Sequence, residues 1–353
     1  MTDVKSIIFS PQDRARISEA DIQRRRKNAI EGGLGGGMPL YIPFDDQKKV
    51  VDLKNPNDIG FLPVLPGEMI SVIARPGNGK TAFLMRTARE RAGIIRAMAA
   101  AGDEEAKRRV VVYVTYEQPV EELNAFHLAA SMSEQNRLSV TAMAMGIVSD
   151  AQMKEISRIN TNAIADPLWV VGHSMELKRR KPLVSVAMLE DALYQIKNWQ
   201  EEDSLIIDSV FIDYLQKMPY SKAENKTIGV SENSGAVKTM MPGLGTRSIV
   251  AVQAVREVGQ RDDPTPTMED GQWTSSIEQD SDGVISIMRP SLYRAQGELT
   301  HKDSSIRVEG YNQMKLAFLK RKLGPANFER WISFDVAYNR ILQAEMKYIN
   351  VEN

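Results

Sequence analysis

Arg75-Pro76-Gly77-Asn78-Gly79-Lys80-Thr81-Ala82 is the stretch of this chain whose residue types and spacing most directly imply chemistry. An unbroken apolar run, Met69–Ala74, leads into it, and an apolar helical segment beginning Ala82-Phe83-Leu84 follows. Gly77 and Gly79 let the backbone turn its N–H groups inward around an anion, and the helix start adds the positive end of its dipole. Lys80 is placed to reach the β- and γ-phosphates of a nucleotide, and the Thr81 hydroxyl to ligate Mg2+. Strand, loop and helix in this order are the setting of a P-loop, so ATP and Mg2+ are the expected ligand and cofactor. The first glycine of the general pattern G-x-x-x-x-G-K-T is Ala74 here. A glycine-rich turn formed by chance is the bland alternative. The Lys-Thr pair in its strand–helix setting weighs against it.

A phosphate loop needs further groups before it can hydrolyse anything. An acidic residue at the end of a neighbouring apolar strand holds Mg2+ through water, and Val210-Phe211-Ile212-Asp213 supplies Asp213. Asp208 and Asp203 compete, but only Asp213 directly follows the strand core. Val110–Thr115 ends at Tyr116-Glu117, where Glu117 could orient and deprotonate the attacking water. Ser248–Val252 ends in Gln253, whose amide could report the γ-phosphate by a hydrogen bond. Each could instead be a solvated strand end; together with Lys80 they form a catalytic set.

The elements that must position these residues are short runs rich in Val and Ile alternating with helical segments. Met69–Ala74, Val110–Thr115, Leu168–Gly172, Ser209–Ile212, Ser248–Val252 and Val284–Met288 read as buried parallel strands. Val186, Leu189, Leu193 and Ile196 share one face of a helix. The expected fold is α/β, a RecA-like P-loop core with a mostly parallel central sheet flanked by helices. Residues 38–345 are assigned to this domain, 346–353 to a tail, and 1–37 to a short N-terminal helical extension. In that extension a helix over 11–31, capped by Ser10 with Pro11 at its first position, precedes a glycine-rich hinge at Gly32–Gly37. It reads as a subunit-docking arm or as a frayed terminus.

Composition bounds the partners. With 353 residues, 42% apolar and 26% charged, the chain can bury a substantial core. There are no cysteines and only three histidines, so disulfides, thiolate metal sites and a zinc site are not expected. No apolar run is long enough to cross a bilayer, and a cytoplasmic setting is the default. A net charge of −1 neither supports nor excludes a nucleic-acid partner, which would have to be gripped locally.

Together these motifs resemble those of the bacterial and phage replicative hexameric helicases of the DnaB type. The loop Ala74–Phe83 is similar to that family's Walker A, which also begins Ala-Arg-Pro, so Ala74 agrees with the family. Glu117-Gln118-Pro119, with Glu122-Leu123, resembles its Glu-Met-Pro segment, and Ile212-Asp213-Tyr214-Leu215-Gln216 its Walker B. Gln253 and Arg256 sit as in its Ser-Gln-Leu-Asn-Arg motif, and Ile277–Asp282 as in its Ile-Glu-Gln-Asp-Ala-Asp. The resemblance covers residues 60–335 in order. It implies a homo-oligomer, a hexameric ring with ATP between subunits, that moves on single-stranded DNA, 5′ to 3′, alongside replication or recombination partners.

Departures qualify the transfer. The family's N-terminal collar is expected to be absent, and the helix over 11–31 to resemble the family's linker helix. The family's Lys-Gln-Arg-Asn-Gly-Pro, with its arginine finger, is Lys320-Arg321-Lys322-Leu323-Gly324-Pro325 here. Lys320, Arg321 and Lys322 are therefore the candidates for a finger acting in trans, with Lys322 at the arginine's place. Lysine lacks the planar fork of a guanidinium, so either Arg321 takes the role or turnover is slow or partner-dependent. By resemblance, DNA would meet the loops Tyr220–Lys238 and Arg256–Ser276, with Lys222, Lys226, Arg256 and Trp273 as candidate contacts. Asp262, Asp263, Glu269 and Asp270 would oppose a phosphate backbone there. The leading expectation is a ring-forming ATP-dependent DNA helicase or translocase. The alternatives are a nucleotide-switched assembly that recruits partners in recombination, transposition or phage defence, and a recombinase-like ATPase that polymerises on DNA.

Overall fold

The computed structural model describes residues 10–31, 38–39, 63–175, 185–199, 204–220, 225–271, 276–322 and 326–343. The glycine hinge and the tail lie outside them. The strands are β1 (Met38–Pro39), β2 (Pro63–Val64), β3 (Met69–Ala74), β4 (Arg109–Thr115), β5 (Leu168–Val171), β6 (Ile206–Asp213), β7 (Arg247–Gln253), β8 (Gly283–Met288), β9 (Gln313–Arg321), β10 (Phe328–Asp335) and β11 (Arg340–Gln343). The helices are α1 (Pro11–Glu31), α2 (Lys80–Ala100), α3 (Glu104–Lys107), α4 (Val120–Ser131), α5 (Val140–Ala144), α6 (Asp150–Asn162), α7 (Val186–Lys197), α8 (Lys226–Leu244) and α9 (Ser276–Asp280).

Nine strands form one sheet in the order β11-β10-β9-β8-β3-β7-β6-β4-β5. The pairs from β8 to β5 are parallel, and the pairs from β8 to β11 are antiparallel. Side chains alternate across a strand, so β3 sends Ile70, Val72 and Ala74 into one apolar layer and Met69 and Ile73 into the other. The first layer takes Phe83 and Leu84 of α2 and Leu123 and Phe126 of α4. The second takes Leu189, Leu193 and Ile196 of α7, the expected face, and Val230, Val237 and Met241 of α8. With both faces covered, the sheet leaves only its edges for function.

Every strand read from the sequence is present. β6 begins at Ile206, earlier than the expected Ser209, because the strand continues through Asp208. Its pairing with β4 passes from Ile207 to Ser209 while β4 advances one residue, so Asp208 is the extra residue of a bulge. Its carboxylate has no exposure and pairs with Arg91 at 2.7 Å and Arg109 at 3.1 Å. Arg247 donates from Nε to its carbonyl at 3.1 Å. Burial raises the pKa of such an acid, but the three guanidiniums outweigh it and hold Asp208 down at about 2. Asp208 is therefore structural. The antiparallel extension β9–β11 was not anticipated, because charged residues interrupt its apolar pattern. One of them, Lys315, is buried at 2% and held by Glu329 at 2.6 Å.

At α1, Asp13 N donates to Ser10 Oγ and Ser10 N to Asp13 Oδ2, both at 3.1 Å, a reciprocal N-terminal box. Its Ile17 and Ile22 are exposed. No described helix is long and apolar enough to cross a membrane.

Candidate nucleotide site

The parallel strands end together. Ala74 is in register with Gln253, and Thr115 with Asp213. One edge of the sheet, here called the upper edge, thus collects the loop at 75–79, Asp213, Gln253 and, just past β4, Glu117. Ligands of open α/β sheets bind at this carboxyl edge.

The loop is shaped by backbone constraint. Gly77 and Gly79 have φ of 81° and 87°, a region that disfavours side chains. A Cβ on Gly79 would also meet Met314 at 3.1 Å and Val336 at 3.2 Å. Gly79 caps α2, so Lys80 and Thr81 open that helix with the first N–H groups directed at the loop. Asn78 turns its side chain into the protein. Its Nδ2 donates to Tyr293 Oη at 2.9 Å and its Oδ1 accepts from Arg289 N at 2.8 Å. Arg289 in turn donates to the Tyr311 carbonyl at 2.6 Å and to that of Gly77 at 3.4 Å. Arg75 donates to the Ala254 carbonyl at 3.3 Å. Pro76 is exposed and Ala82 is buried in the core. The segment following β8 therefore braces the loop from outside, and nothing in its sequence pattern announces this.

Lys80 Nζ lies 5.0 Å from the Tyr214 ring centroid. Burial lowers its pKa against the pull of the Asp213 and Glu117 carboxylates, so the ammonium is poorly hydrated and would be stabilised by an incoming anion. Tyr214, beside it, is pushed up to about 12, by burial first and then by Glu117 and Asp213. Asp213 is 2% exposed; Tyr113 Oη donates to its Oδ2 at 3.0 Å, while Oδ1 is buried without a partner. A buried orphan oxygen within electrostatic reach of Lys80, the first residue of α2, fits a hard cation or its water shell. No cluster of three or more His, Cys, Asp or Glu suited to a metal occurs among the described residues; a phosphate-bound Mg2+ needs none, since phosphate and water fill its sphere.

Glu117 is exposed at the mouth of the site. The side chain of Gln216 bridges β6 and β7: its Oε1 accepts from Gln253 N at 3.2 Å and its Nε2 donates to Gln253 O at 3.3 Å. The Gln253 backbone is thereby fixed. Tyr113 and Gln216 were not picked out from sequence as functional; Gln216 stood in a motif without a role, and Tyr113 inside an apolar run.

The finger candidates lie elsewhere. β9 runs down the sheet, so Arg321 pairs with Gly283, which pairs with Ile70. That is the lower edge, about 13 Å or more from Ala74 by strand rise. Arg321 is 3% exposed and bonded to Glu68 at 3.3 Å. Lys320 donates to the Glu278 carbonyl at 2.7 Å. Lys322 is 65% exposed and 3.3 Å from Asp282. Lys322 rather than Arg321 is the cation presented outward, because Arg321 is buried in its own chain.

Lys222 and Trp273 lie outside the described residues. Lys226 opens α8 and Arg256 opens a short turn, Arg256–Gln260; both are exposed, on segments that leave the upper edge. Three of the four acids named in the second segment are paired within the chain, Asp262 with Arg294 at 2.7 Å, Asp263 with Lys315 at 3.3 Å, and Asp270 with Arg261 at 2.6 Å, while Glu269 is exposed. The charge expected to oppose a phosphate backbone is thus neutralised at three of these four positions.

Residues 61–341 match the model of the DnaB-like helicase C terminal domain. The replicative DNA helicase DnaB of Helicobacter pylori is 26% identical over 246 residues, 69% of this chain and 44% of that protein. The DnaB of Rickettsia bellii is 22% identical over 292 residues, 80% of this chain and 55% of that protein. The chain thus spans about half the length of these curated relatives. Among solved structures, a DnaB-like replicative helicase, described with its interactions with primase, superposes with a TM-score of 0.60 at 20% identity, covering 79% of this chain and 58% of that one. A second solved structure, of an ATPase domain, superposes with a TM-score of 0.59 at 22% identity, covering 79% of this chain and 85% of that one. These two show the shared fold, and with the family match over residues 61–341 the chain belongs to the DnaB-like helicase C-terminal-domain family.

Proposed function

We propose that copies of this chain assemble into a ring, hydrolyse ATP between neighbours and use the turnover to move along single-stranded DNA. One observation carries the reading: Lys80, Asp213, Glu117 and Gln253 gather at the upper edge of the sheet, while the outward-facing Lys322 stands at the lower edge. One copy cannot bring both to the same phosphate. Head-to-tail packing, which forms a ring when its rotation closes and a filament when it does not, would bring the lower edge of one copy to the upper edge of the next.

In such an interface the loop N–H groups and Lys80 hold the β- and γ-phosphates, and the Thr81 hydroxyl and Asp213 would hold Mg2+. The cation, when bound, neutralises charge developing on the phosphate oxygens. Glu117 orients the attacking water and takes its proton, and the Gln253 amide senses whether the γ-phosphate is present. Lys322 of the neighbour adds positive charge to the transferring group. An arginine in this role contributes about 10³–10⁵ in rate; a lysine lacks the bidentate fork, so the expected basal turnover is slow. Movement would be 5′ to 3′, as the family resemblance implies. Lys322 also favours a second reading, a nucleotide-switched ring or filament that binds DNA and recruits partners without unwinding.

The test is ATP turnover with and without single-stranded DNA, strand displacement on a forked duplex, and electron microscopy with ATP. DNA-stimulated turnover, displacement and rings support the motor. Rings or filaments without displacement support the second reading, and DNA-independent turnover by a stable monomer overturns both.

A further inference from the structure

The lower edge holds Lys322 more firmly than its exposure suggests. Asp282, between α9 and β8, is 6% exposed and fixed at several atoms. Its N–H donates to the Met69 carbonyl at 2.8 Å, and its Oδ2 accepts from Met69 N at 2.9 Å. Oδ2 is also held by the ammonium of Lys238 from α8. With that oxygen occupied, the carboxylate is immobilised and Oδ1 faces Lys322, whose Nζ lies 3.3 Å away. The grip extends to the backbone, where Lys322 N donates to the Asp282 carbonyl at 2.7 Å. One residue before, the Arg321–Glu68 pair fixes the opposite face. In β9 the pairing with β8 skips Leu319, and a bulge of this kind re-aims the side chains that follow.

We propose that Asp282 is the positioning residue for Lys322: anchored to the first residue of β3, it holds the ammonium in the outward pose from which it reaches a neighbour's nucleotide. This rests on the reading of Lys322 as a cation acting in trans. Fixing a flexible lysine costs rotamer freedom, and an anchor in the resting state meets part of that cost before the phosphate arrives. Asp282 touches no substrate and acts only through Lys322.

The experiment is a double-mutant cycle in the full chain. Asp282→Asn is expected to lower kcat for ATP hydrolysis by about tenfold or more, with KM for ATP within about twofold. Combined with Lys322→Ala it should fall no further than Lys322→Ala alone. A second readout is independent of turnover: reductive methylation of Lys322, mapped by mass spectrometry, is slowed by a non-hydrolysable ATP analogue in the wild type and not in Asp282→Asn. If Asn does not fold, Asp282→Glu, which keeps the charge but displaces it by a methylene, carries the same expectations. Multiplicative loss in the double variant, or wild-type kcat in the Asp282 variant beside an impaired Lys322→Ala, overturns the proposal alone. Wild-type kcat in Lys322→Ala overturns the reading of Lys322 itself.

Discussion

Two aspartates on strand β6 sit in the same sheet under opposite conditions. Asp208 has no exposed side-chain area and is surrounded by Arg91, Arg109 and Arg247, with its pKa held at about 2. Asp213, farther along the strand, has one oxygen bonded to Tyr113 and the other buried without a partner. The contrast extends to their surroundings. At the lower edge Arg321 is committed to Glu68, and Lys238 and Lys322 share Asp282. At the upper edge Lys80 is desolvated and Glu117 is open to solvent. A fully paired buried charge is part of the scaffold, whereas a half-paired one is poised for a ligand.

The largest expected effect comes from emptying the upper edge. Lys80→Ala should reduce ATP turnover by about 10³-fold or more, read by phosphate release, with the melting temperature nearly unchanged. Glu117→Gln should lose about 10²–10³-fold in kcat while retaining nucleotide in equilibrium dialysis; loss of binding instead would place Glu117 in the scaffold.

Asp208, by contrast, should respond in stability. Asp208→Asn leaves three guanidiniums without their carboxylate and should cost about 3 kcal/mol in urea unfolding. Because the folded-state pKa of Asp208 is depressed, its contribution is complete above the unfolded value and lost on acidification. The loss should run from about pH 4 down to about pH 2, and the acid unfolding of Asp208→Asn should lack this component. An Asp208 variant that folds normally but fails in turnover would break the division between the two aspartates. The smallest effect sharpens it: Tyr113→Phe removes the only hydroxyl bonded to Asp213 in the described structure. It should change kcat by about tenfold or less, consistent with a single hydrogen bond.

Much of the fold was legible because apolar runs are both the signal for buried strands and their physical cause. β3 has the ends read from sequence, since nothing charged interrupts Met69–Ala74. β6 was read short at Asp208, and β9 and β10 were missed, for one reason: their charges are compensated by partners on other segments, such as Lys315 by Glu329 and Asp263 and Asp208 by Arg91. Within the site, Lys80, Glu117, Asp213 and Gln253 were legible as polar residues at the ends of such runs. The inward turn of Asn78, the bridge made by Gln216 and the hydroxyl of Tyr113 depend on which strands lie side by side, and that order does not follow the chain.

By itself, then, the sequence determined that a P-loop follows a buried strand and that acidic and amide groups end the neighbouring ones, because local periodicity and glycine placement are properties of contiguous residues. Only the tertiary structure decided which aspartate stays available and which is consumed by arginines, and that Arg321 is buried while Lys322 faces outward. The physical reason is that a charged group's role follows from its desolvation and its partners, and both are supplied by segments brought together across the sheet.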